Sequence, residues 1–166
     1  MITPEWEQRL AAAWASLDGS PEDEFLDRIG RLVAELPAGD PVGLFERACS
    51  LDSTGHSDLA VPLYEQALRA GVTGIRRRRA VIQMASSLRN LGDSARSVEL
   101  LTQELRAPSD ELDDAVKTVL ALALTDVGRE REAVSIAVGA LAAHLPRYQR
   151  SMANYARLLI EPAPGA

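Results

Sequence analysis

Few residues in this chain are equipped for chemistry: two histidines, His56 and His144, one thiol, Cys49, a run of arginines from Arg76 to Arg79, and the acid pairs Asp110-Glu111 and Asp113-Asp114. An imidazole or thiol acts as nucleophile or metal ligand when a base, an orienting carboxylate or further ligands stand at matching spacing. Neither histidine has such a companion, and Cys49 has no second cysteine with which to form a disulfide. His56 stands beside a turn glycine, and His144 lies near a helix end, where a partly positive ring suits the negative terminus. The acid pairs follow Pro108 and Ser109 at a helix start, where carboxylates match the positive end of the dipole. No glycine-rich phosphate loop occurs. The expectation is a protein that is not an enzyme, with no catalytic residue, no metal and no cofactor.

The arginine run invites a nucleic-acid or acidic-peptide reading. Successive helical residues point about 100° apart, so at most two of the four share a face. Arg76 to Arg78 are therefore expected in a solvated first turn. The net charge of −6 is unevenly placed, since residues 1–40 hold nine acids and three arginines and residues 41–166 hold fifteen of each sign. A phosphate backbone wants a basic face, so nucleic acid is not an expected partner. No apolar stretch approaches the roughly 20 residues that cross a bilayer, and the first residues lack the basic-then-apolar order of a secretory signal. No membrane partner and a cytoplasmic location are expected.

The elements that must position these residues are announced by four glycines at nearly equal steps, Gly19, Gly55, Gly92 and Gly128. Seven residues before each of the last three stands an alanine (Ala48, Ala85, Ala121) and four before, a leucine (Leu51, Leu88, Leu124). Six after comes a valine (Val61, Val98, Val134), eight after an aliphatic (Leu63, Leu100, Ile136), and thirteen after a leucine (Leu68, Leu105, Leu141). A residue just past a helix end often needs the left-handed conformation that glycine adopts cheaply. Each period is then two antiparallel helices, with alanine where they cross and leucine and valine as a buried stripe. One hairpin cannot cover its own apolar face, so neighbours must stack. Thr3-Pro4-Glu5, Ser20-Pro21-Glu22-Asp23 and Asp40-Pro41 read as helix starts. The coarse parse is helices near 4–17, 21–36, 41–54, 57–70, 74–91, 94–106, 110–127, 130–144 and 146–160, with no strand. The fold class is all-α, an α-α superhelix of about nine helices. It is expected as one domain over 1–166: a degenerate acidic leading hairpin in 1–40, three repeats in 41–145, and a terminal helix in 146–160.

In this frame the chain resembles the tetratricopeptide repeat (TPR) family, whose pattern combines a large residue, a leucine, a small residue and an aromatic in the first helix with alanine and an aromatic in the second. The matching positions are Leu44, Arg47, Ala48, Leu51, Ala60 and Tyr64, then Val81, Met84, Ala85, Leu88, Ser97 and Leu101, then Leu120, Ala121, Leu124, Ala133 and Ala137. The chain departs from the pattern in a period longer than the usual span of about 34 residues. Lys117 stands where a large apolar residue is expected, and Gly71, Pro108 and Pro146 stand in for the closing proline. A different helical-hairpin solenoid stays open on those grounds. The resemblance implies a non-enzymatic scaffold that binds a protein or peptide segment in a concave groove lined by first helices. It places Arg79, Ile82, Gln83, Ser86, Arg89 and Asn90 there from the middle repeat, Phe45, Glu46 and Cys49 on one flank, and Thr118, Val119 and Leu122 on the other. Arg79, Gln83, Ser86 and Asn90 form one polar stripe. The bland reading of that stripe is a solvated helix face. The family's lysine, asparagine and arginine clamp for a C-terminal carboxylate is absent, because Phe45, Cys49, Gln83, Ala115 and Val119 stand at those positions.

The last helix carries Tyr148, Met152, Tyr155 and Leu159 at helical spacing, with further apolar residues on other faces. This makes it a candidate homodimer surface, and an alternative reading is a homodimer whose groove is occupied by its own acidic segment, Glu22 to Asp27. A third reading is a small-molecule-sensing or enzymatic domain with an enclosed pocket near Cys49 and Arg79.

Overall fold

The computed structural model describes residues 2–161. Nine α-helices follow one another among them, with no strand: α1 (Pro4–Trp14), α2 (Glu22–Val33), α3 (Pro41–Ser53), α4 (Ser57–Arg69), α5 (Gly74–Asn90), α6 (Ser94–Glu104), α7 (Asp113–Asp126), α8 (Glu130–Ala142) and α9 (Gln149–Leu158). A short 3-10 turn, Leu17–Gly19, joins the first two. The helices of the parse are all present. Compact packing separates two units, one ending at Ser87 and the other beginning at Leu88, so the division falls inside α5.

The three equally spaced glycines build the same turn. Gly55, Gly92 and Gly128 have φ of 89°, 89° and 75°. The residue after each donates its backbone N–H to the leucine five positions earlier: His56 to Leu51, Asp93 to Leu88 and Arg129 to Leu124, each at 2.9 Å. This is the Schellman closure, and it explains why that leucine and that glycine keep their spacing. Gly19 does not share it: it lies in the 3-10 turn and is absent from the residues with positive φ.

Helix starts follow local chemistry. Thr3 Oγ1 accepts from the Trp6 N–H at 3.2 Å, and Asp40 Oδ1 accepts from Val42 and Gly43, each cap being followed by a proline in the first helical position. The Ser20-Pro21 start differs from expectation. Pro21 itself occupies the cap position without a side-chain bond, Ser20 does not cap, and three acids fill the first turn instead. Likewise α7 begins at Asp113 rather than near 110, because Asp110 Oδ1 takes the Leu112 N–H at 2.8 Å and Ser109 donates to Asp113 at 2.5 Å, holding a turn.

In the first unit the leading hairpin has a core of its own: Trp6, Leu10, Ala13, Phe25, Ile29, Leu32 and Leu36. The Trp6 indole N–H donates to the Leu32 carbonyl at 3.0 Å, pinning α1 to the end of α2. Next, α2 packs on α3 and α3 on α4, burying Phe45, Ala48, Ala60 and Tyr64 completely. In the second unit α6 packs on α7, α7 on α8 and α8 on α9. Val98, Leu101, Val116, Leu120 and Leu124 are its main buried apolar side chains.

Candidate functional site

The first helices of the hairpins carry a buried polar network in the first unit. Glu46 lies in a largely apolar stretch of α3 and is only 2% exposed. Its Oε2 accepts from the Trp14 indole N–H at 2.9 Å, and its Oε1 accepts from Arg76 Nε at 2.9 Å. Arg76 also reaches Glu7 on α1 at 2.6 Å. Burial acts against the Arg76 charge, and the bonds from Glu7 and Glu46 outweigh it, so its pKa is raised. The buried carboxylate is thus matched by a cation and an indole, as burial of charge demands.

Next along α5, the Arg79 guanidinium lies 5.1 Å from the centroid of the Phe45 ring, a cation–π distance. Gln83 is half-buried and accepts from Cys49 Sγ at 3.2 Å. Burial pushes the Cys49 thiol up to about 12, so it carries almost no nucleophilic thiolate at neutral pH. One turn further, Ser87 donates to Asp52 Oδ1 at 2.6 Å, while Tyr64 and Ser57 donate to the same carboxylate at 3.3 and 3.4 Å. Burial also pushes the Tyr64 phenol upward. Asp52 therefore ties α3, α4 and α5 together. The second unit has a related node in Asp126, which forms an ion pair with Arg89 (Nε to Oδ2 2.6 Å), accepts from its Nη2 at 3.4 Å, and accepts from Ser94 Oγ at 3.1 Å.

The expected groove residues divide by burial. Phe45 and Cys49 are sealed and Glu46 nearly so, which makes them the support beneath α5. Ile82 is buried, whereas Arg79, Gln83 and Ser86 are half-buried with a face to solvent. In the second unit Arg89 is committed to Asp126, Asn90 and Leu122 are exposed, Val119 is half-buried, and the Thr118 hydroxyl donates to its own helix at the Asp114 carbonyl. The candidate dimer stripe divides too. Met152 and Leu159 are half-buried, while Tyr148 and Tyr155 are 73% and 58% exposed. Tyr148 adopts φ 68°, unusual for a bulky residue.

One expectation about charge needs correction. Arg76 is held between two carboxylates and Arg78 is only 4% exposed, so the first turn of α5 is not simply solvated. Long aliphatic stems let arginines line a helix contact while their heads find partners. Spacing in the run carries no such information. The Glu46 and Asp52 nodes were also missed, although an acid inside the apolar run of α3 was a signal. The histidines each meet a carboxylate: His56 Nε2 lies 2.5 Å from Glu22 and His144 Nε2 2.8 Å from Asp114. No group of three or more histidine, cysteine or acidic side chains is placed to hold a metal among the described residues. Among those residues, too, no helix is long and apolar enough to cross a membrane.

Helices paired through left-handed glycine turns, with a buried alanine at the same register of each first helix and polar side chains tying helices together, define a helical-repeat protein. The chain belongs to the tetratricopeptide repeat family: the family profile described as Tetratrico peptide repeat matches residues 41–159. Among solved structures it is similar to the nearly identical TPR-like repeats of a Podosopora anserina chain provisionally assigned as a kinesin light chain. The TM-score is 0.71 at 19% identity, covering 96% of this chain and 89% of that one. No curated protein matches this chain. The fold is thus an all-α TPR-type α-α solenoid, a family that is generally non-enzymatic and generally serves as a scaffold for protein–protein interaction.

Proposed function

We propose that this chain is a non-enzymatic interaction module that holds a protein or peptide segment against the Arg79, Gln83 and Ser86 face of α5, acting in the cytoplasm. The observation that carries the reading is the state of Arg79. Among the described residues no carboxylate pairs with it, and the Phe45 ring holds its guanidinium in place. Its neighbour Arg76, by contrast, is saturated by Glu7 and Glu46. A cation fixed by packing and left with donors to spare is preorganised for an incoming acceptor, with little side-chain entropy left to lose. Gln83 keeps its amide N–H groups and Ser86 its hydroxyl for the backbone of a guest. In the acidic segment of α2, Glu22 meets His56 and Asp27 pairs with Arg31 of its own helix. The sealed thiol argues against the small-molecule alternative at Cys49.

Affinity purification with the wild-type chain and with Arg79→Glu tests the proposal. Partners recovered with the wild type are expected to be lost with the variant. Recovery of the same partners with both would remove Arg79 from the contact.

A further inference from the structure

Within the second unit, two second helices at the same repeat register have different fates. On α6, which packs on α7, Val98 and Leu101 stand six and nine residues after their glycine and are buried. On α8, Val134 and Ala137 occupy the same two positions after Gly128, and both are exposed; Leu141, like its counterpart Leu105 on α6, is exposed too and extends the strip. The helix that does pack on α8 does not cover them: α9 meets another face, where the Ser135 hydroxyl donates to the Ala156 carbonyl at 2.7 Å and a Cβ on Gly139 would lie 3.9 Å from Ala156. The seat that a following first helix fills in one hairpin is therefore open in the next.

We propose that this seat on α8 receives α1 of a second copy of the chain, so that copies associate head to tail. Continuity with the α6–α7 interface gives the geometry, since the seat is built for the first helix of a hairpin and α1 is one. Outward from its own core, α1 presents Glu5, Gln8, Ala12 and Ala15, all exposed and spaced three, four and three residues apart. That face is small in profile, so the Val134 and Leu141 side chains can approach it closely. Charge selects this pairing over a two-fold one. Residues 1–40 carry a large acidic excess, while Arg147, Arg150 and Arg157 follow the seat in sequence, just before and on α9, and the charges from Arg129 to Glu132 cancel. A two-fold contact through α9 would set those arginines against their own copies, whereas the leading hairpin brings opposite charge. A head-to-tail contact that is not reciprocated leaves one seat and one entering face free, and such a contact extends with concentration.

Sedimentation velocity on the full chain, from micromolar to millimolar, tests this. The wild type is expected to pass from monomer to dimer and longer species, less so at high salt. Val134→Asp spoils only the seat and Ala12→Arg only the entering face, so each alone is expected to stay monomeric. Their equimolar mixture retains one intact seat and one intact face, and is expected to form dimers and nothing longer. Both sites are exposed, so each variant should keep wild-type circular dichroism, and Leu141→Asp serves as a second seat variant if Val134→Asp does not. A monomeric wild type, an Ala12→Arg chain that still dimerises as a two-fold α9 contact would, or a mixture that stays monomeric overturns the proposal. Arg79→Glu should leave association unchanged, which separates failure here from failure of the α5 reading; loss of association in that variant also overturns it.

Discussion

The leading hairpin and the terminal pair of helices complete their cores to different degrees. In α1 and α2, seven apolar side chains form a closed cluster, with Phe25 and Ile29 fully buried and Trp14 edge-on to Phe25 at 5.3 Å. In α9 only Ala156 is buried, and large apolar side chains on α8 and α9 face solvent. Yet the leading pair is the one whose repeat pattern is worn, and α8 keeps the pattern in register. Fidelity to the repeat and completeness of the core are thus separate properties. The pattern specifies which positions a neighbour should cover, and only the presence of that neighbour covers them.

The sharpest way to break this comparison is to cut each core. Phe25→Ala is expected to cost about 3–5 kcal/mol by urea unfolding, because a fully buried ring is replaced by a cavity. Tyr155→Ala on α9 should change stability by less than about 0.5 kcal/mol, as for other surface sites. A comparable loss at the two positions would mean that α9 is as closed as the leading pair. Glu46→Ala ranks next, at about 2–3 kcal/mol, because it leaves Arg76 and the Trp14 indole without their shared acceptor. The value falls below that of a fully enclosed pair because Arg76 keeps Glu7. Trp14 fluorescence should shift with it, and an unchanged spectrum would place Trp14 outside the network.

The glycines sharpen the contrast further. Gly55→Ala forces a left-handed alanine at φ 89° and is expected to cost about 1–2 kcal/mol. Gly19→Ala, outside the left-handed set, should stay within about 0.5 kcal/mol. Equal thermal shifts for the two variants would contradict the assigned turns. The smallest effect concerns acid. Asp114 has a pKa below its ordinary 3.8, first through its hydrogen bond to Lys117 and then through that to His144. A carboxylate with a depressed folded-state pKa contributes stability above its unfolded value, and that contribution is lost as pH falls through the folded value. The site is exposed, so the effect is slight. Asp114→Asn should melt slightly below wild type at neutral pH and converge with it as pH falls through the carboxylate range, and a gap that opens only in acid would contradict the sign.

Much of the fold was legible because its determinants are local. A glycine at C′, a leucine whose carbonyl closes the turn and an alanine at the crossing act within a few residues of one another, and their spacing recurs at Gly55, Gly92 and Gly128. The candidate site was legible only in part. Register placed Arg79 and Gln83 on the face of α5, but it also pointed to Phe45 and Cys49 as contact residues, and both are sealed beneath that face. Nothing in the order Arg76-Arg77-Arg78-Arg79 distinguishes an arginine held by two carboxylates from one in solvent, since Glu7 lies 69 residues from Arg76 in sequence.

By itself, then, the sequence determined where the chain doubles back and which residues share each helix face, because backbone conformation and helical period depend on near neighbours. The tertiary structure alone decided which of those faces are covered and which charges are paired. Val98 and Val134 are the same residue at the same register, and whether each meets protein or water depends on a helix that neither one encodes.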